Sequence, residues 1–180
     1  MDFRKEYLMH GNKIRLRALE PSDAGTVYEW ENDPSVWKFG DRRWPVSLSD
    51  VKSLIERSDL DIWQTRQTRF MIDSLEDGRS VGCVDIYDFD PLNMHCSLGV
   101  LVESGSRGNG FAREAVALVE NFAREVLVAH SINVTVAADN EPSVALFQAA
   151  GYERVGVMKD NLRRDRMFVD EVLLQKVFTD

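Results

Sequence analysis

The chain has 180 residues, 44% of them hydrophobic and 29% charged, with 30 acidic against 22 basic side chains and a formal net charge of −8. Average composition at this length excludes a disordered, collagen-like or membrane-spanning chain and provides for one compact domain with a core of its own. The acidic balance also argues against generic nucleic-acid binding, because phosphates are gripped by Lys and Arg. Cys83 and Cys96 lie in apolar runs, are too few for a disulfide framework, and read as buried, reduced thiols. The start, Met1-Asp2-Phe3-Arg4-Lys5-Glu6, is charged and leads into no apolar segment, and no run approaches the ~20 apolar residues that cross a bilayer. A cytoplasmic protein without a membrane partner is expected.

Lys13 to Leu19 alternates with period two and reads as a strand. Pro21-Ser22-Asp23 opens a helix through Trp30, ended by Asn32-Asp33-Pro34. From there to Pro45 the chain is irregular and aromatic-rich, with Trp37, Phe39 and Trp44. Ser49-Asp50 caps a second helix that has Val51, Leu54 and Ile55 on one face. Strands follow at Arg69 to Leu75, Ser80 to Asp88 and about Met94 to Val102, the first two joined by the turn Glu76-Asp77-Gly78. Phe111, Ala115, Leu118, Val119, Phe122 and Val126 mark the most periodic helix. A strand at Ile132 to Ala137, a short helix from Glu141 to Ala150 stopped by Gly151, and strands Tyr152 to Met158 and Met167 to Phe178 complete the chain. The order β-α-α-β-β-β-α-β-α-β-β predicts a mixed α/β sheet in one domain, residues 1–180 with a core of about 13–178.

The chemistry concentrates where the strand ending at Val102 turns through Glu103–Ser106 into Arg107-Gly108-Asn109-Gly110-Phe111-Ala112, the first turn of a helix. Unpaired N–H groups and the helix dipole make such a turn an anion site. Gly108 and Gly110 let the backbone approach a phosphate, and Arg107 supplies charge. The pattern is neither G-x-x-x-x-G-K-[ST] nor G-x-G-x-x-G, which disfavours mononucleotide and dinucleotide folds. An ordinary glycine-rich turn without a ligand is the plain alternative.

Arg107-x-x-Gly110-x-Ala112 resembles the acetyl-CoA signature (Gln/Arg-x-x-Gly-x-Gly/Ala) of the GNAT superfamily of N-acetyltransferases. Asn140-Glu141-Pro142-Ser143-Val144-Ala145-Leu146-Phe147, running on to Gly151-Tyr152, is similar to the family's second motif, and the strands fall in the family's order from Ile14 to Phe178. Within the superfamily the chain looks most like the branch of bacterial spermidine and ribosomal-protein N-terminal acetyltransferases. The resemblance implies a mixed, largely antiparallel central sheet flanked by helices, acetyl-CoA as co-substrate, no metal, and acetyl transfer to a primary amine such as a polyamine or a peptide N-terminus by direct attack in a ternary complex. It places the coenzyme diphosphate on Arg107, Gly108, Asn109, Gly110, Phe111, Ala112 and Arg113, and the pantetheine arm beside Val100, Leu101 and Val102. Asn140, with Ser143 and Phe147 of the same motif, completes the coenzyme side; Asn140 alone reads equally as a helix N-cap.

Two departures stand out. The family's general-acid Tyr is matched by Phe147 and its strand Glu by Ser97, so neither role carries over. His95, two residues before Ser97 and therefore on the same strand face, becomes the candidate base. On the acceptor side Glu31 and Asp41 could draw a cation, Trp37 could line a pocket, and Arg43 beside Arg42 would suit a carboxylate or phosphate. A homo-oligomer is compatible with the exposed aromatics. A non-catalytic acyl-CoA-binding domain is the alternative function.

Overall fold

Seven strands form one sheet in the order β1-β2-β3-β4-β5-β7-β6. The strands are β1 (Ile14–Ala18), β2 (Thr68–Ser74), β3 (Ser80–Asp90), β4 (His95–Val102), β5 (Ser131–Ala137), β6 (Glu153–Arg164) and β7 (Met167–Val177). The helices are α1 (Ala24–Glu31), α2 (Pro34–Trp37), α3 (Leu48–Arg57), α4 (Ile62–Thr65), α5 (Phe111–Glu125) and α6 (Glu141–Ala149). This computed structural model describes residues 9–37, 44–57 and 61–179. Every strand pair is antiparallel except β4–β5, which is parallel.

Each face of the sheet buries its own set of apolar side chains. On one, Ile72, Val84, Ile86 and Ile132 pack under α5, whose Ala115, Val116, Val119 and Ala123 form its inward stripe. On the other, Met71 and Cys83 lie under Val27 and Trp30 of α1 and Val51 and Ile55 of α3. The β1 end is tied by charge: Asp73, only 2% exposed, accepts hydrogen bonds from Arg15, Arg17 and Ser80.

Four local expectations need correction. Helix α3 starts at Leu48: the Ser47 hydroxyl accepts from the Asp50 N–H (3.0 Å) and the Asp50 carboxylate from the Ser47 N–H (3.3 Å). That reciprocal capping box, not Ser49, sets the helix start. Pro21–Asp23 forms a 3₁₀ turn before α1, because Asp23 turns its carboxylate back to the Glu20 N–H and to Arg17. The single helical turns α2 and α4 carry no periodic signal, because four residues cannot show a repeat. β6 runs on to Arg164 instead of ending at Met158, with its register shifted between Met158 and Leu162. As an edge strand it needs no apolar stripe, so its charged stretch hid it.

Both cysteines are buried and reduced. Burial pushes each thiol from its usual 9.0 up to about 12. Folded protein should therefore react with a thiol reagent only as fast as it unfolds. Unfolded thiols ionise above pH 9, while the folded ones stay protonated until about 12. The urea midpoint should thus fall between pH 9 and 12, and a flat profile there would contradict the assignment.

Candidate active site

The parallel pair β4–β5 is in register only at His95–Ser131, Cys96–Ile132 and Ser97–Asn133. β4 continues to Val102 and β5 to Ala137, so the two strands diverge into a fork. β4 stays paired with β3 as far as Gly82–Val102. Its other edge, at half-buried Val100, Leu101 and Val102, faces the fork without a strand partner. An extended ligand can add there as a strand would.

At the open end of the fork β4 runs into the glycine turn. Gly108 and Gly110 have φ of 82° and 84°, the left-handed region in which only glycine is unstrained. Gly110 is the N-cap of α5 and brings no side chain to it, so the amides of Phe111, Ala112 and Arg113 have no side-chain cap. The turn is braced from several sides. Arg107 Nε donates to the Val102 carbonyl (3.0 Å), Asn109 Nδ2 to the Ser106 carbonyl (3.1 Å), and the Ser106 hydroxyl to Glu103 (2.6 Å), which also pairs with Arg79 (2.9 Å). Lys13 was not foreseen here: its Nζ donates to the Asn109 carbonyl (3.0 Å), while Glu114 of α5 accepts from the Lys13 N–H (3.1 Å). A lysine at the start of an edge strand carries no sequence signal; only the crossing of α5 over β1 brings it to the turn. Arg113 is exposed on α5.

Across the fork, Asn140 caps α6, its side-chain oxygen accepting from the Ser143 N–H at 3.4 Å. Phe147 turns inward, 2% exposed, with its ring edge-to-face against Tyr152 at 5.2 Å. The motif's aromatic position thus serves packing. Burial, reinforced by the carboxylate of Glu120, pushes the Tyr152 hydroxyl above its usual range and leaves it unsuited to give up a proton.

The face under α1 carries the polar groups. His95 and Ser97 share it, as alternation predicts, but His95 lies before the fork, about 10 Å from Leu98 at ~3.3 Å per residue. Its Nε2 is 3.7 Å from Asp90 Oδ2. Ser97 sits at the branch point between Tyr87 of β3 and Asn133 of β5, and Gln175 donates to Asn133 at 2.9 Å. Two residues on, Gly99 pairs with Asp85 across β3–β4, and a Cβ there would meet the Tyr87 ring at 3.7 Å. Arg69 grips Asp85 with two bonds (2.7 and 2.9 Å) and reaches Glu31 with a third (2.8 Å). Burial opposes the Arg69 charge, yet Cys83, Asp85 and Glu31 hold its pKa well above the usual value. Glu31 is thus engaged as an ion-pair partner, and its carbonyl accepts from the Trp37 indole at 2.6 Å. Asp41 and Arg43 lie outside the described residues.

Comparison with known proteins agrees with this fold. Residues 13–153 match the family model described as acetyltransferase (GNAT) domain. A prophage-derived uncharacterized N-acetyltransferase of Bacillus subtilis is 26% identical over 159 residues, covering 88% of this chain and 83% of the relative. The spermidine N(1)-acetyltransferase of Escherichia coli K12 is 22% identical over 148 residues, covering 81% and 75%. Among solved structures, the spermidine N-acetyltransferase of Vibrio cholerae in complex with CoA and spermine superposes with a TM-score of 0.85 at 18% identity, covering 93% and 96%. A ribosomal L7/L12 alpha-N-protein acetyltransferase in complex with coenzyme A gives 0.81 at 17% identity, covering 93% and 95%.

Proposed function

Because the chain belongs to the acetyltransferase (GNAT) domain family, we propose that it transfers an acetyl group from acetyl-CoA to a primary amine, of a small molecule or a peptide N-terminus, by direct attack in a ternary complex. The observation that carries this reading is the fork between β4 and β5 opening onto an uncapped glycine turn. The uncapped amides of Phe111, Ala112 and Arg113, with Lys13 beside them, suit a diphosphate. The free edge of Val100–Val102 suits the amides of a pantetheine arm, and a β4 N–H at the fork can donate to an oxyanion. Asn140 closes the opposite wall. The co-substrate supplies an activated thioester carbonyl when bound.

Phe147 has no hydroxyl and Tyr152 is buried, so neither is placed to protonate the leaving thiolate. A thiol with pKa near 8.5 leaves tolerably without that help. Positioning two reactants supplies ~7–11 kcal/mol, more than the ~10²–10⁴-fold of a general acid. An alkyl amine of pKa near 10 does need to lose a proton, and His95 or Ser97 could pass it on through water. Glu31 and Asp85, paired with the single Arg69, leave one net negative charge that draws the cation toward the branch point.

Free thiol release from acetyl-CoA with a panel of amines tests the assignment. Turnover of at least one amine is expected. Tight coenzyme binding with no turnover of any would instead support an acyl-CoA-binding domain, the reading that Phe147 favours. Phe147→Tyr in the active enzyme should change kcat little, because the ring points into the core.

A further inference from the structure

The β6–β7 hairpin brings to the end of β5, beside Asp139, a guanidinium that has no role in the acetyl-transfer reading. Arg164 ends β6 opposite Met167, in a register that also pairs Leu162 with Val169. By alternation along β7, this places Arg164 on the same side of the sheet as Glu171, whose partner on β5 is Ala137, and hence on the side of Asn133 and Ser97. Its side chain is only 15% exposed, and Nε and Nη2 are enclosed without any hydrogen-bond partner. The nearest acid is Asp139, whose Oδ2 is 3.8 Å from Nε, beyond hydrogen-bond range. Asp139 immediately precedes Asn140, the residue that caps α6 at the open end of the fork.

Native interiors leave few such donors unsatisfied, and a charged one is the costliest to leave so. The other half-buried arginines of the sheet each hold carboxylates within hydrogen-bond distance: Arg69 holds Asp85 and Glu31, and Arg17 holds Asp23 and Asp73. A planar donor fork on the acceptor side matches a carboxylate, which takes two parallel N–H bonds. Resting on the acetyl-transfer reading, we propose that Arg164 binds a carboxylate of the acceptor, so that the preferred substrate is an amine that also carries an acid group. Glu171, half-buried on the same side and accepting a hydrogen bond from Asn161, keeps its charge for the ammonium end, while Arg164 takes the acid end. A polyamine is cationic throughout; it is repelled by Arg164 and leaves the donors empty. Both a free amino acid and a peptide N-terminus with an acidic side chain nearby have the required chemistry.

The test compares kcat/KM on matched acceptors: lysine against cadaverine for the small-molecule arm, and a tripeptide with an acidic second residue against its amide counterpart for the peptide arm. The unmodified protein should prefer the acid-bearing member of at least one pair by about a hundredfold, as sites built for a hydrogen-bonding group do. Arg164→Met should abolish that preference through KM, leaving coenzyme A affinity and the poorer acceptor unchanged, and Arg164→Lys should restore part of it. Should the Met variant not fold, the Lys variant and the unmodified protein still decide the matter. Preference for cadaverine or spermidine, or a preference that survives undiminished in Arg164→Met or Arg164→Lys, overturns the inference and leaves acetyl transfer standing. No turnover of any amine overturns both.

Discussion

Replacing Gly110 by Val should weaken coenzyme A binding by about a hundredfold or more without loss of helical circular dichroism. Gly110 holds φ at 84° as the N-cap of α5. An L-residue there costs roughly 1–2 kcal/mol, and a β-branched one more. The rest of α5 will not yield, because Ala115, Val116, Val119 and Ala123 are fully buried against the sheet. The strain must therefore be relieved in the turn itself, by rotating the peptide planes that aim the Phe111, Ala112 and Arg113 amides. A hundredfold loss is about 2.7 kcal/mol, the scale of one or two misdirected charge-assisted hydrogen bonds. Two companions grade the effect. Gly108→Ala, at φ 82° with nothing within 4 Å of the added carbon, should lose about tenfold from backbone strain alone. Gly105→Ala has neither strain nor a close neighbour and should bind as the unmodified protein does. Titration calorimetry with coenzyme A reads all three, and equal affinities across the series would remove the turn from the binding site.

That turn was legible because its signals are local: glycines and an arginine between a β-run and the strongest helical repeat. The fork beside it was not. Nothing in Leu98 to Val102 distinguishes a strand paired on both edges from one paired on one, since the difference lies in how far β5 follows it. Alternation correctly gave His95 and Ser97 a common face but could not measure their distance from the branch point. Arg69 and Asp85 are charges inside apolar strands, and only the β2–β3 register pairs them. The hairpin tip hid Arg164 for the opposite reason: charge without alternation looks like loop when the strand is an edge.

Arg69→Met should cost about 3–5 kcal/mol of stability, the penalty for removing one partner of a buried ion pair. At 2–4 °C per kcal/mol for a domain of this size, the thermal midpoint should fall by on the order of 10 °C. The loss has a specific origin: Asp85 and Glu31, 29% and 23% exposed, would face each other without a counter-ion. Stability and function can be separated here, because ion pairs replaced whole by apolar residues often lose little. Arg69→Met combined with Asp85→Leu should regain most of the midpoint, as Glu31 sits at the C-terminal end of α1 and can turn to solvent. The double variant should nevertheless remain poor in acceptor KM while binding coenzyme A normally, because the carboxylate facing Gly99 is gone. Recovery of both stability and acceptor KM would make the triad a purely structural clamp, and a single variant that melts like the unmodified protein would deny it even that role.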